Sequence, residues 1–154
     1  MGSGASRDTN LHSYLLNEAA AEPSMTFSPI PAWREAVDTD DFESVERLLA
    51  EDAVFQSPAV HSPQEGKALV VKYLRAAMAV LNNETFRYLG EWTADRSAVL
   101  EFEATIGGVY VNGVDMIWWN DDGLITRFKV MVRPMKGLNT LVPIMARQLQ
   151  GSGE

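Results

Sequence analysis

The chain has 154 residues, with 13 Lys and Arg against 21 Asp and Glu, which gives a formal charge of −8. Its length and its 46% hydrophobic content fit one domain with a buried core. The acidic balance argues against nucleic acid or an anionic membrane as a partner, and the absence of cysteine excludes thiol catalysis, disulfides and thiolate-bound metals.

No apolar run approaches the ~20 residues that a membrane-spanning helix needs, and no signal-peptide pattern opens the chain. We therefore expect a cytoplasmic protein. Residues 1–30 are predicted to be an N-terminal extension that acts as a tag, a disordered leader or a lid, with a short helical pattern at residues 8–21. The domain itself is expected at residues 31–150, and residues 151–154 resemble a linker-like tail.

The first regular pattern predicts two helices, because apolar residues recur at helical spacing over residues 31–37 and 42–49. Pro31 suits a first helical position. Asp40 and Glu43 resemble a capping box for the second helix. A short strand is predicted at residues 53–56.

A proline-rich loop over residues 57–63 leads into a third helix that ends near Leu81. Ser62 is the expected N-cap of this helix, followed by Pro63 in the first turn and Glu65 as the capping-box acid.

After this helix the apolar period changes from 3.6 to 2, which is typical of an antiparallel meander. Strands are predicted at residues 86–93, 98–106, 109–119 and 124–133. The segments between them are rich in Gly, Asn and Asp, as turns require. A final helix is predicted with Thr140 as its N-cap, which would place Pro143 in the first turn.

This order of elements predicts an α+β domain whose helices pack on one face of a twisted sheet. A conical space between the two layers is then either filled by side chains or kept as a pocket.

Several local strings, in this order and spacing, resemble the nuclear transport factor two like superfamily, and within it the SnoaL-type polyketide cyclases and ketosteroid isomerases. They are AWREAVD at residues 32–38, LLAEDAVFQSP at 48–58, EGK at 65–67, VDMI at 114–117 and DDGLI at 121–125. The resemblance covers about residues 31–134.

The resemblance implies a cone-shaped, cystatin-like fold. Its curved antiparallel sheet has four long strands and one short strand, with three helices on the concave face and a C-terminal helix. Members of this superfamily are often dimeric and bind hydrophobic molecules in the cone. Many catalyse isomerisation, cyclisation, dehydration or epoxide hydrolysis without a cofactor.

The ketosteroid isomerase pattern is matched only in part. Asp115 falls where those enzymes hold the carboxylic acid that donates to the substrate oxyanion, and Trp33 falls at their oxyanion-hole tyrosine. Ser57 stands at the position of their general-base aspartate, so the resemblance does not imply a steroid isomerase. The limonene epoxide hydrolase pattern also fails in part, because residues 126–133 contain no carboxylate, and an epoxide hydrolase of that type is disfavoured.

Asp115 is the first candidate catalytic residue on chemical grounds. Strand alternation puts it on one face with Gly113, Ile117 and Trp119, so its carboxyl would lie among apolar neighbours. Desolvation there would raise its pKa and let it act as acid or base near neutral pH. The alternatives are a solvated carboxylate at a sheet edge and a buried one satisfied by Trp33 or a backbone amide.

His61, in the proline-rich loop, is the second candidate catalytic residue, as an auxiliary proton carrier, because imidazole exchanges protons readily near neutral pH. A solvated surface histidine is the alternative. Two separated histidines without cysteine are poor metal ligands, so we expect no metal and no cofactor.

Apolar and small polar side chains are expected to bind the substrate along the cone. They are Trp33, Phe55, Ser57, Ile117, Trp119, Phe128, Val130 and Val132.

The opposite face of the sheet would carry Tyr110, Met116 and Trp118, an apolar row that a homodimer or the tail helix would cover. Glu101 and Glu103 are expected on the same outer face, opposite Arg127 or Lys129, and acid/base work by this pair of carboxylates is the alternative.

These observations favour a cofactor-independent enzyme that acts on a hydrophobic, oxygenated small molecule by acid/base chemistry, of isomerase, cyclase or dehydratase type. The alternative is a hydrophobic-ligand-binding or dimerisation module of the same fold without catalysis. In either case the expected partners are a small hydrophobic molecule and a second copy of the chain, and neither nucleic acid nor a membrane.

Overall fold

In the part of the chain that the structure describes, a curved, open sheet of six strands carries the helices on one face. The computed structural model describes residues 27–151, so the predictions for the chain ends, including the helix at residues 8–21, lie outside it. The helices are α1 (Ile30–Asp38), α2 (Phe42–Arg47), α3 (Lys67–Leu81) and α4 (Met135–Gly151). The strands are β1 (Leu49–Gln56), β2 (Gln64–Glu65), β3 (Arg87–Thr93), β4 (Ser97–Ile106), β5 (Val109–Trp119) and β6 (Ile125–Arg133).

The strand order is β2-β1-β6-β5-β4-β3, and all neighbours are antiparallel except β1 and β6, which run parallel. The predicted α+β class and the four long strands of the meander are confirmed. The first strand is longer than expected, and the two-residue β2 was not predicted.

The sheet buries one face because its long strands alternate. Strand β4 turns Leu100, Phe102 and Ala104 inward, each at most 2% exposed. Strand β5 does the same with Val111 and Ile117. The helices close over this face and complete the core.

The boundary between α2 and β1 differs from the prediction. Leu49 belongs to the sheet and pairs with Ile125, and the carbonyl of Leu48 accepts a 2.8 Å hydrogen bond from the amide of Ile125. The helical stripe is therefore cut short by a long-range strand pairing. The cap is also one residue later than expected: Asp41 Oδ1 accepts from the Ser44 amide at 3.2 Å, while Asp40 takes a left-handed φ of 54°.

The start of α3 was also wrongly predicted. Gln64 and Glu65 pair with β1, and Gly66, with φ of 95°, is the N-cap in place of Ser62. The amide of Gly66 bonds to the carbonyl of Ala53 at 2.9 Å, so the helix can begin only at Lys67.

Helix α4 begins at Met135, so Thr140 is not its N-cap. The Thr140 hydroxyl instead donates to the Lys136 carbonyl at 2.9 Å, within the helix. Pro143 also lies inside the helix, where it removes one main-chain hydrogen bond. Packing of Leu141, which is 3% exposed, onto the core holds this part of the helix in place.

On the outer face of the sheet, the predicted pairing of Glu101 and Glu103 with Arg127 or Lys129 is wrong. Glu103 accepts from Arg87 Nε at 2.6 Å and Glu101 accepts from Asn112 Nδ2 at 3.1 Å. Arg127 and Lys129 do not face these carboxylates because β5 lies between β4 and β6. Their cationic groups lie instead near the Trp118 ring, at 3.6 Å and 5.9 Å from its centroid.

Candidate functional site

A cavity lies between the inner face of the sheet and helices α1, α3 and α4. The centre of a water molecule can move through about 80 Å³ of it. Aromatic rings form part of its wall, with Trp33 and Phe55 centred 4.9 Å and 6.0 Å from Phe128. The remaining lining is almost wholly apolar: Val37, Pro58, Ala59, Leu74, Ala77, Met78, Leu81, Phe86, Phe102, Val130, Leu141, Val142 and Met145, with Ser57, Asn82, Tyr88 and Asp115 as polar members.

Asp115 supplies the only carboxyl group among the described residues that line this cavity. On β5 it lies between two apolar neighbours, Leu100 of β4 and Val130 of β6, and it is 7% exposed. Burial penalises the charged form and raises the pKa of Asp115 from 3.8 to about 7. A hydrogen bond from Tyr88 acts in the opposite direction and lowers the pKa.

A chain of hydrogen bonds reaches Asp115 from the first helix. Trp33 Nε1 donates to Tyr88 Oη at 2.9 Å, and Tyr88 Oη donates to Asp115 Oδ2 at 2.9 Å. Burial and the nearby Asp115 charge hold the pKa of Tyr88 well above its ordinary 10.0, so its hydroxyl stays protonated. The tyrosine therefore serves as a hydrogen-bond donor in the cavity at any physiological pH.

Arg34 borders the Tyr88 ring from the helical side. Its guanidinium carbon lies 5.5 Å from the ring centroid, and its Nη1 is 2.8 Å from Glu91 Oε2. Glu91 lies on the same strand as Tyr88. This contact links α1 to β3 beside the hydrogen-bonded chain.

A carboxyl group with a pKa of about 7 is present in both protonation states near neutral pH. In its neutral form Asp115 can donate a proton or a hydrogen bond to a ligand oxygen, and in its charged form it can remove a proton from carbon or oxygen. The apolar wall excludes water that would compete for the same hydrogen bonds.

Five of the residues predicted to bind substrate line the cavity: Trp33, Phe55, Ser57, Phe128 and Val130. Ile117 and Trp119 are buried on the same sheet face but outside the lining. Within residues 27–151 the indole nitrogen of Trp119 has no hydrogen-bond partner.

His61 and Val132 lie elsewhere. Both line a second, more open groove between the loop after β1 and strand β6, and His61 is exposed. The structure thus brings Asp115 together with Trp33, through Tyr88, and does not bring His61 to them.

Tyr88 is the residue of this site that the sequence did not reveal. Strand β3 shows weak alternation, because its register shifts between Tyr88 and Gly90 and because Leu89 and Trp92 are exposed at 49% and 59%. The feature that shows Tyr88 to face inward is its pairing with the inward-facing Phe102. That pairing requires a strand register that a bulge makes unpredictable.

Among residues 27–151, no group of three or more His, Cys, Asp or Glu side chains is arranged to hold a metal ion. None of the helices in the same part of the chain is both long and apolar enough to cross a bilayer.

Comparison with known proteins identifies the family of this chain. The SnoaL-like domain pattern matches residues 30–128. A structure named as a steroid delta-isomerase from Pseudomonas aeruginosa is similar, with 37% identity, a TM-score of 0.78 and coverage of 86% of this chain and 96% of that one. A search of curated proteins gave no match.

Two further structures are similar to this chain. An uncharacterised protein with a cystatin-like fold from Silicibacter pomeroyi shares 31% identity at a TM-score of 0.73, over 80% of this chain and 87% of that one. An NTF2-like protein of unknown function from Cytophaga hutchinsonii shares the fold, at 17% identity and a TM-score of 0.52, over 70% of this chain and 88% of that one. The chain therefore belongs to the SnoaL-like family of the NTF2-like superfamily.

Proposed function

We propose that the protein is a cofactor-independent enzyme that moves a proton on a hydrophobic, oxygenated small molecule, in a reaction of isomerase, cyclase or dehydratase type. The single observation that carries the proposal is the buried carboxyl of Asp115, whose pKa is about 7, in the wall of an apolar cavity. In this proposal Asp115 is the acid and base. Tyr88 holds the carboxylate form by donating a hydrogen bond to it.

The geometry supports a ligand whose oxygen points at β5. Apart from Asp115 and Tyr88, the described lining offers few polar groups, so an oxygen atom placed elsewhere in the cavity would lose its hydrogen bonds to water. The charged form of Asp115 would remove a proton from the carbon next to a ligand carbonyl. The neutral acid formed in this way would then return that proton to the enolate, at carbon or at oxygen.

Steroid isomerisation is one member of this reaction class, and the similar Pseudomonas aeruginosa structure bears that name. The sequence resemblance implies that Ser57 of this chain stands at the position of the isomerases' base. Ser57 lines the cavity, but its Oγ accepts a 3.1 Å hydrogen bond from the Ala59 amide, and a serine hydroxyl is no base at neutral pH. Steroids are therefore included among the compounds to be tested, but no steroid is assigned as the substrate.

The alternative function is binding of a hydrophobic ligand without turnover. The single carboxyl of the described cavity lining favours it, because many acid/base enzymes use two groups of different pKa. This alternative predicts a protein that binds the ligand without converting it.

The proposed enzyme is a homodimer. Tyr110 and Met131 on the outer sheet face are 47% and 52% exposed, and α4 cannot cover them because Leu141 and Met145 of that helix line the cavity on the inner face. A second copy packed on the outer face would remove this apolar surface from water.

The function is tested with panels of steroid, terpenoid and polyketide-like ketones, first for thermal stabilisation and then for exchange of α-hydrogen for deuterium in D₂O by NMR. The wild type is expected to exchange deuterium into at least one stabilising ketone, and Asp115→Asn to bind it without exchange. Asp122→Asn, in the exposed β5–β6 turn, is the control and should exchange normally. Full exchange by Asp115→Asn would reject the role of Asp115, and binding without exchange by the wild type would favour the alternative.

A further inference from the structure

A second groove opens where β1 ends before its neighbour does. Gln56, the last residue of β1, pairs with Lys129 of β6. Beyond Lys129, strand β6 continues to Arg133 with β5 on one side, and no other described strand pairs with it on the other side. The loop that follows β1 runs beside this free edge and leaves a groove of about 510 Å³ that is open to solvent.

The groove favours a negatively charged group. Lys129 and His61 line it, and none of its described lining residues is acidic, although the chain has 21 Asp and Glu residues and a net charge of −8. Within the described part of the chain Lys129 forms no ion pair, and its ammonium group lies only near the Trp118 ring, at 5.9 Å. A cation without a carboxylate partner is available to an anionic ligand.

The groove and the Asp115 cavity adjoin each other. Ser57, Pro58, Ala59 and Val130 line both spaces. Since Ser57 Oγ already accepts a hydrogen bond from the Ala59 amide, its hydroxyl hydrogen remains free to be donated to a ligand oxygen. A ligand that extends past these four residues would reach an apolar chamber on one side and a cationic one on the other.

We infer that the groove is a subsite for the carboxylate of an amphipathic substrate whose apolar body occupies the Asp115 cavity. This inference rests on the proposed function and names its substrate class as hydrophobic monocarboxylic acids. Lys129 and His61 bind the carboxylate, and Ser57 donates to the ligand where it crosses between the two spaces. A doubly charged phosphate fits less well, because the groove offers one lysine and no arginine among its described lining residues, and the whole chain is negatively charged.

The test measures binding of octanoate and of octan-1-ol by isothermal titration calorimetry. The two ligands share an apolar chain and differ in the group that the subsite recognises. Wild type is expected to bind octanoate about tenfold more tightly than octan-1-ol, as a charge-assisted hydrogen bond provides. The preference should shrink when the ionic strength is raised from about 0.01 M to about 0.15 M, because the Debye length falls from about 30 Å to about 8 Å.

Variants locate the carboxylate. Lys129→Met should lose most of the preference for octanoate and keep its affinity for octan-1-ol. His61→Gln should lose part of the preference for octanoate. Lys129→Arg, which keeps the positive charge, should retain the preference. Arg127→Met is the matched control, because Arg127 also lies over the Trp118 ring, at 3.6 Å, but does not line the groove. Its preference should equal that of the wild type.

Equal affinity of the wild type for the two ligands would overturn the subsite and leave the cavity, and so the proposed function, intact. An octanoate preference that survives Lys129→Met would also overturn it. Failure of both ligands to bind would overturn the subsite together with the ligand-binding cavity on which the proposed function depends.

Discussion

Tyr88 Oη donates a 2.9 Å hydrogen bond to Asp115 Oδ2, and so joins a tyrosine of β3 to a carboxyl two strands away. Tyr88 Oη also accepts a 2.9 Å hydrogen bond from Trp33 Nε1. Within residues 27–151 the carboxyl thus has one side-chain donor, while burial opposes its charge. The balance between this donor and desolvation fixes where Asp115 titrates.

Tyr88→Phe removes that donor. Because the hydrogen bond favours the charged form, the pKa of Asp115 should rise above its value of about 7. The variant also leaves Trp33 Nε1 without its acceptor, which should cost about 1–3 kcal/mol of unfolding free energy. Carboxyl ¹³C NMR titration and urea unfolding measure the two effects.

Tyr110→Phe is the control for this change. Its hydroxyl bonds to Glu103 on the outer face at 3.0 Å, far from the cavity, so the pKa of Asp115 should stay as in the wild type. A Tyr88→Phe protein whose Asp115 titrates at or below the wild-type midpoint would contradict the claim that this hydrogen bond lowers the pKa.

The raised pKa of Asp115 also predicts how stability depends on pH. In the unfolded chain the carboxyl ionises near 3.8, and in the folded protein only near 7, so between these values the unfolded state binds fewer protons. Stability therefore falls as pH rises from about 4 to about 7. The full penalty, about 4 kcal/mol, is reached above pH 7.

Asp115→Asn removes this titration. Urea unfolding at several pH values should show the wild type losing stability relative to the variant as pH rises, with the difference changing by about 4 kcal/mol between pH 4 and pH 8. Parallel curves for the two proteins would contradict a raised pKa at this position.

Filling the cavity should block binding without unfolding the protein. Ala77 lies on α3 and lines the cavity, so the larger side chain of Ala77→Leu occupies the space that a ligand needs. Affinity for octan-1-ol should fall below detection in calorimetry, with the thermal midpoint held or raised because a void is filled. Ala79→Leu, on the exposed face of the same helix, should bind as the wild type does. Equal binding by both variants would place the ligand outside the cavity.

The proposed dimer is tested by light scattering coupled to size-exclusion chromatography. Wild type should have twice the chain mass of 17.0 kDa, and Met131→Lys should shift it toward monomer, because a charge would be buried on the outer face. Met135→Lys is the control, since Met135 is 77% exposed at the start of α4 and does not lie on the sheet. A monomeric wild type, or a dimer indifferent to Met131→Lys, would contradict the interface.

The sequence predicts best what depends on local periodicity. Alternation along β5 correctly puts Asp115 on the buried face and Tyr110 on the exposed face, because strand faces follow from counting residues by two. The body of the third helix, its end at Leu81 and the turns at Gly107 and Gly123 are predictable for the same reason, since spacing and positive φ are local properties.

Features that depend on long-range pairing escape such counting. The start of α3 is set by the pairing of Gln64 and Glu65 with β1, and the end of α2 by the pairing of Leu49 with β6. Tyr88 reaches Asp115 only through a register that shifts within β3. The groove at Lys129 depends on the pairing of Gln56 with Lys129 of β6, which the correctly predicted end of β1 at Gln56 does not reveal by itself.

The most direct measurement is the titration of the Asp115 carboxyl itself, by ¹³C NMR of protein labelled at aspartate carboxyl carbons, with Asp115→Asn to assign the resonance. Withdrawal of this group from water into the cavity predicts a midpoint near pH 7. A midpoint near the ordinary 3.8 would show a solvated carboxylate and contradict the acid/base role assigned to it.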